Sequence, residues 1–290
     1  MSFPSIYLAA AVVHLGEEPP IGGERGVGNL FFSGCNLRCC FCQNHQTSHH
    51  PRHGEALSPE QCAERILSLA AQGAEAIGLV SPTHQARSVA RAVELARLAG
   101  LRLPVVYNSN GTDGPQVLAR FDGLVDLYLP DFKYGSDAMA WQLSQVRDYV
   151  HRARRAVREM HRQVGHLPDD QALGRARRGL LVRHLVLPGG LASTGRVMRH
   201  LAEDLGEELW LSLMAQYHPE PLAHTAGGTA ALASFPELGR TITAAEYEEA
   251  LDAARLAGLT RLFTQDLATA PTTGLPDFER SDPFVWAESS

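Results

Sequence analysis

Four of the chain's five cysteines crowd into residues 35–42, in the run Gly34-Cys35-Asn36-Leu37-Arg38-Cys39-Cys40-Phe41-Cys42. Thiolates are ligands for zinc and for iron–sulfur clusters. Cys35, Cys39 and Cys42, at spacing C-x3-C-x2-C, can wrap one loop around a corner of a cubane. Ferredoxins that only carry electrons cap all four irons of a [4Fe–4S] cluster with cysteine. Three ligands instead leave one iron open, as catalytic metal sites leave one position open for substrate. Two other metal chemistries compete on the residues alone. Zinc takes four tetrahedral ligands, usually as two separated pairs, but Cys39 and Cys40 are adjacent and no second pair follows. An iron–sulfur electron carrier needs a fourth ligand from Cys40 or Cys62. Adjacent cysteines do not easily take neighbouring irons, and Cys62 falls among core positions of a capped helix, where free cysteine serves as a small hydrophobe. Unrelated structural cysteines would not account for four in one loop.

The elements that must position this loop alternate strand with helix. Val27 to Ser33 reads as a strand running into the cysteines. Ser58-Pro59-Glu60-Gln61 is a capping box with proline at the first helical position, followed at helical spacing by Ala63, Ile66, Leu67 and Ala70. Strands follow at Ala76–Val80, Leu103–Tyr107, Leu124–Leu129, Leu180–Leu187 and Leu209–Met214, with Leu262–Thr264 a further one. Helices are expected at Ser88–Leu98, as one long stretch over Asp137–Val164, near Ser193–Leu205, and after the Thr243-Ala244-Ala245-Glu246 cap. Pro168–Gly179 reads as a polar loop or small hairpin, and Pro219–Gly228 and the tail after Asp266 read as loops. Apolar strands alternating with helices predict an α/β fold whose parallel sheet is covered on both faces. Six such strands suit an open, partial barrel with its strand-end loops at one mouth; a doubly wound sheet fits the same order. No linker or repeat divides the 290 residues, so one domain is expected over 1–290, with its core about 27–264, a short N-terminal segment and a C-terminal tail.

Bulk properties exclude some functions. A net charge of -6 argues against a sequence-independent grip on nucleic acid, which needs a basic face. The arginines at 152, 154, 155, 158, 162, 175, 177 and 178 make the middle of the chain locally cationic, a pattern that usually marks a solvated helix face. No apolar run approaches the roughly 20 residues of a membrane helix, no leader peptide is visible at Met1–His14, and the cysteines do not resemble a secreted disulfide framework. A reducing cytoplasm is the expected location. His49, His50 and His53 beside Pro51 and Arg52 read as an exposed loop rather than a metal site.

The Cys35-x3-Cys39-x-Phe41-Cys42 pattern resembles the signature of the radical S-adenosylmethionine enzymes, with Phe41 as its aromatic. Phe31-Phe32-Ser33-Gly34-Cys35, Ser81-Pro82-Thr83-His84, Tyr128-Leu129-Pro130-Asp131-Phe132-Lys133-Tyr134, Leu181-Val182-Arg183-His184-Leu185-Val186-Leu187-Pro188-Gly189 and Ser212-Leu213-Met214-Ala215-Gln216-Tyr217 extend it to a branch similar to the pyruvate formate-lyase activating enzymes. The similarity runs from about Ile6 to about Gln265.

That resemblance implies a TIM-like partial (β/α)6 barrel with a [4Fe–4S] cluster on Cys35, Cys39 and Cys42 at its mouth. S-adenosylmethionine chelates the open iron, and one electron from a flavodoxin- or ferredoxin-type donor splits it into methionine and a 5′-deoxyadenosyl radical. Its further implications are a glycyl radical protein as partner and a monovalent cation beside Asp131. Lys133 would approach the methionine carboxylate, Arg183 the cofactor and His218 the nucleoside. Asn108 and Ser109 stand where the activating enzymes carry Asp-Thr, which removes a charge from the cation site. Ser81, Thr83 and His84 stand where a Gly-Gly-Glu usually meets the cofactor's amino group, while Gly22-Gly23-Glu24 has those letters ahead of the first barrel strand. Two blander readings stay open: Arg183 as an ion pair with Asp131 inside the barrel, and His218 as a surface histidine.

Overall fold

The alternation of apolar runs and capped helices folds into one sheet. The computed structural model describes residues 3–267, 275–280 and 282–284. Its strands are β1 Ile6–His14, β2 Val27–Phe32, β3 Glu55–Leu57, β4 Ala76–Val80, β5 Val105–Ser109, β6 Leu127–Pro130, β7 Gly179–Leu185, β8 Trp210–Met214 and β9 Leu262–Thr264. They lie in the order β3-β1-β2-β4-β5-β6-β7-β8-β9. Neighbours from β2 through β9 are parallel, while β1 runs antiparallel to both β2 and β3. The protein is therefore a mixed α/β fold with a large, mostly parallel, open sheet, the partial barrel expected, widened by β9 and by an antiparallel edge. The short N-terminal segment ahead of the expected core at Val27 carries β1, a strand not expected there. Its run Ile6-Tyr7-Leu8-Ala9-Ala10-Ala11 lacks an alternating pattern, and most of β1 is only half-buried.

Helices α1 Pro59–Ala71, α2 Ala86–Leu98, α3 Asp137–Ser144, α4 Tyr149–Val164, α5 Thr194–Leu205 and α6 Ala244–Leu256 cover the outer face. Both capping boxes form: Ser58 accepts from the Gln61 N–H, and Thr243 from the Glu246 N–H. In α4 the buried residues Tyr149, Ala153, Ala156, Val157, Met160 and Val164 follow helical spacing and turn the arginines outward. Several of these arginines are paired, Arg154 with Asp204 at 2.7 Å and Arg162 with Glu159 at 2.7 Å. Pro168–Gly179, expected as a polar loop or small hairpin, holds a helical turn at Asp169–Ala172. Among the described residues no helix is long and apolar enough to cross a membrane.

The single helix expected over Asp137–Val164 is two. It breaks between α3 and α4, where Gln145 and Asp148 both take φ of 53°. The reason lies in the cysteine loop, whose Arg38 and Cys40 N–H groups donate to the carbonyls of Ser144 (3.0 Å) and Leu143 (2.8 Å). The last carbonyls of α3 thus receive the loop instead of a further helical turn.

On the inner face the strands stack in layers. Val27, Ala76, Val106, Leu127, Leu181 and Trp210 form an apolar floor with Ile21, Leu167, Ala172 and Ala176. Above it, alternate positions of the same strands bring in Asn29, Asn108 and Arg183. The C-terminal strand ends, and the loops that leave them, make the mouth.

Candidate functional site

The cysteine loop begins where β2 ends. Gly34 has φ of 89°, and a Cβ there would lie 3.0 Å from His84 Nε2 and 3.1 Å from Pro51, so only glycine allows this turn. The Ser33 carbonyl before it accepts from Gln85 Nε2 at 3.0 Å and pairs with His84 Nε2 at 2.6 Å. Farther along, Gln43 Nε2 donates to the Gln216 carbonyl beyond β8 at 2.7 Å. The loop is thus tied to strand ends on both sides of the mouth. The Phe41 ring is buried and meets Tyr217 (5.9 Å) and Tyr134 (6.5 Å) edge-on.

Each of the three spaced thiols has its own donors. Asn110 Nδ2 lies 3.3 Å from Cys35 Sγ, and the Leu37 N–H 3.4 Å from it. Ser144 Oγ donates to Cys39 Sγ at 2.9 Å, and Ser48 Oγ is 3.1 Å from Cys42 Sγ. Burial pushes the Cys39 thiol up to about 12, and the Lys133 ammonium pulls against it. Cys42 is also raised, first by burial, with Ser48, Cys35 and Lys133 as further influences. Cys35, Cys39, Cys42 and Lys133 therefore share one electrostatic neighbourhood. Cys40 does not: burial alone pushes it up to about 11, and its carbonyl accepts from the Thr225 hydroxyl. Cys62 is fully buried in α1. Among the described residues no group of three or more His, Cys, Asp or Glu side chains gathers closely enough for a single metal ion.

Behind the thiols runs a charged network. Asp131 Oδ2 accepts from Lys133 Nζ at 2.6 Å, and Asp131 Oδ1 from Arg183 Nε at 2.8 Å. Arg183 Nη2 donates to Asn108 Oδ1 at 2.7 Å, and Nη1 lies 3.9 Å from Glu18. Burial works against the charge on Asp131, but Arg183 and Lys133 outweigh it and hold the carboxyl below its usual value. For Lys133 burial is likewise overcome, chiefly by Asp131, and its pKa rises. The Lys133 N–H donates to Tyr149 Oη at 2.6 Å, which fixes the backbone at the β6 end.

The residues singled out from sequence divide into three groups. Cys35, Cys39, Cys42, Asn108, Asp131, Lys133 and Arg183 come together at the mouth. Ser81, Thr83, His84 and Ser109 serve in its framework. Ser81 takes φ of 55° and donates its N–H to the Asn108 carbonyl at 2.9 Å. Thr83 Oγ1 donates to Asp113 at 2.7 Å, His84 is turned onto Ser33, and the Ser109 hydroxyl also donates to Asp113. His218 stands apart, about one-third exposed, accepting from the Glu220 N–H at 3.2 Å. Gly23 and Glu24 lie outside the mouth; a Cβ on Gly23 would overlap Glu75. Asn110, Asp113, Ser144 and Glu18 were not singled out from sequence. Only Asn110, beside Asn108 and Ser109 in the β5 loop, carried a signal that could have found it.

Residues 29–165, from β2 to the end of α4, match the family described as the Radical SAM superfamily. The chain is 27% identical over 257 residues to the uncharacterized protein MJ0674 of Methanocaldococcus jannaschii, covering 86% of this chain and 67% of that protein. Its fold is similar to that of HydG, a maturase of the [FeFe]-hydrogenase, with TM-score 0.52 and 13% sequence identity over 85% of this chain. The chain spans about half of HydG's length, 53%.

Proposed function

We propose that this chain works as a radical SAM enzyme in which Cys35, Cys39 and Cys42 hold a [4Fe–4S] cluster and the residues of the mouth bind S-adenosylmethionine. The observation that carries this is the common neighbourhood of three thiols and Lys133, in which Cys40 is not among the main influences on Cys39 or Cys42. The donor set fits the cluster. Ligands of a cubane sit on separate irons, consistent with thiols that are neighbours without converging on one ion. When bound, the cluster supplies the electron that splits S-adenosylmethionine into methionine and a 5′-deoxyadenosyl radical. The chain's part is geometry and charge. Asn110 and Ser144 point hydrogen-bond donors at Cys35 and Cys39, and the Ser48 hydroxyl lies within donating distance of Cys42 once that sulfur is a thiolate, which favours extra electron density on the three sulfurs. Lys133 supplies a fixed positive charge for the methionine carboxylate, and Phe41 packs the loop against the barrel. Buried thiols with raised pKa must lose protons to bind iron, so assembly should weaken as pH falls.

The barrel spans 27–264 within one domain, and the electron comes from a flavodoxin- or ferredoxin-type donor. The substrate is a glycine-bearing loop of a glycyl radical partner, a reading supported by the resemblance to activating enzymes along nearly the whole chain. A small-molecule or RNA substrate is the second reading. Phe278 and Phe284 pack on Phe31, at 5.0 and 5.6 Å, and occupy inner-face space beside β1 that an entering loop would use. Anaerobic iron and sulfide analysis with Mössbauer spectra tests the cluster. Electron paramagnetic resonance of the reduced protein mixed with candidate partners tests the substrate: a doublet that depends on the enzyme supports the glycyl reading, and its absence with every such protein of the host refutes it.

A further inference from the structure

The resemblance implies a monovalent cation beside Asp131, yet the side-chain oxygens there already have a cation. Asp131 Oδ1 and Asn108 Oδ1 both accept from the Arg183 guanidinium, at 2.8 and 2.7 Å. Asp131 Oδ2 accepts from Lys133 at 2.6 Å. The arrangement is built into the register. Asp131 and Arg183 bridge the ends of β6 and β7, and the Phe132 N–H donates to the Arg183 carbonyl at 2.8 Å. The ionic groups are withdrawn from solvent, with Arg183 and Asp131 side chains 15% exposed and Lys133 18%. Asp131 is answered by both Lys133 and Arg183, while Glu18 and Glu17 act on the same guanidinium from farther off. Asparagine at 108 contributes a carbonyl but no charge, so a metal ion beside Asp131 would face two fixed cations there.

We propose that Arg183 is this chain's built-in cation, its guanidinium standing where a monovalent metal ion would be held by Asn108 and Asp131, so that S-adenosylmethionine is bound and cleaved without sodium or potassium. The inference rests on the reading that this mouth binds S-adenosylmethionine, and its test separates the two. Cleavage is measured with photoreduced deazaflavin as reductant in choline chloride, then with sodium or potassium added. The kcat and KM for S-adenosylmethionine should change by less than about twofold. A loss of about tenfold or more in choline, restored by potassium, overturns the proposal while leaving the enzyme reading intact.

A second arm needs no activity. Thallium-205 NMR and thermal midpoints of the cluster-free protein should show no ion-specific binding in the wild type. The Asn108→Asp/Arg183→Met double variant, which adds a charge and removes the guanidinium, should bind thallium and gain stability in potassium over choline. Thallium binding by the wild type that Asp131→Asn abolishes overturns the proposal. If no salt supports cleavage, the S-adenosylmethionine reading fails, and the binding arm still decides whether the metal site exists.

Discussion

Asp113 is a buried carboxylate that ties the end of β4 to that of β5, and its replacement has a magnitude that can be worked out. Its Oδ1 accepts from Thr83 Oγ1 at 2.7 Å and Tyr107 Oη at 2.8 Å, and its Oδ2 from the Ser109 hydroxyl. Hydrogen bonds to a charged group contribute about 1.5–3 kcal/mol each, but three on one carboxylate are not additive. Asp113→Ala leaves the buried Tyr107 and Ser109 hydroxyls without their acceptor, at about 1–3 kcal/mol each, so a loss of about 3–5 kcal/mol is expected. Asp113→Asn keeps an acceptor for Thr83 and Tyr107 and turns an amide toward Ser109. The Ser109 oxygen already accepts from the Gly111 N–H at 2.9 Å, and its own O–H then loses its acceptor, so the loss should be about 1–3 kcal/mol, from that hydroxyl and from charge assistance. Urea denaturation, with an unchanged slope, measures both. The partners are local to the mouth, so S-adenosylmethionine affinity should fall in the same order. A stability of Asp113→Ala within about 0.5 kcal/mol of wild type, the range of an ordinary surface change, would refute this role for the carboxylate.

Gly111 has φ of 81°, and a Cβ there would lie 2.2 Å from the Asp131 carbonyl oxygen. Gly111→Ala should therefore cost about 2 kcal/mol or more and weaken cofactor binding by displacing Asp131, which calorimetry and a cofactor titration would register. His184 sits between the Phe132 carbonyl (2.6 Å) and Thr194 Oγ1 (2.9 Å), and burial lowers its pKa from 6.5 to about 4. The fold favours the neutral ring, so this stabilisation is complete above about pH 6.5 and is lost as pH falls toward 4, a change on the order of 3 kcal/mol. Denaturation between pH 7 and pH 5 should show a shallower decline in His184→Gln than in wild type; equal slopes would rule the ring out as the source. Cys40→Ala and Cys62→Ala should keep the cluster's iron and sulfide, whereas alanine at Cys35, Cys39 or Cys42 should lose it. Lys133→Ala should weaken S-adenosylmethionine binding more than Glu24→Gln, since Glu24 lies outside the mouth; the reverse order in a spectroscopic titration would relocate the site.

What could be read from sequence was set by local physics. The two capping boxes, the apolar strands and the cysteine loop depend on neighbours within a few positions, and each forms close to where it was expected, although the strands expected at Leu103–Tyr107 and Leu124–Leu129 begin later, at Val105 and Leu127. The break between α3 and α4 could not be read, because it is made by N–H groups of Arg38 and Cys40, a hundred positions away. Strand β1 was missed because its alanine-rich run shows no alternation and gains its place by pairing with β2. At the site, the cysteines, Asp131, Lys133 and Arg183 were visible through spacing and resemblance. The donors at Ser144 and Ser48, the carboxylates of Asp113 and Glu18, and the commitment of Thr83 and His84 to the framework are products of tertiary proximity. The ion pair of Arg183 with Asp131 had been the blander of two readings, and it supplies the built-in cation proposed above.

The most direct test of the account is product analysis after a single anaerobic incubation. Protein reconstituted with iron and sulfide is mixed with S-adenosylmethionine and dithionite, and 5′-deoxyadenosine is quantified by chromatography beside the Cys39→Ala and Cys40→Ala variants. The account predicts 5′-deoxyadenosine and an equal amount of methionine from wild type and Cys40→Ala, and none above background from Cys39→Ala. A cluster-loaded wild type that yields no 5′-deoxyadenosine, or a Cys39→Ala variant that yields as much as wild type, would contradict it.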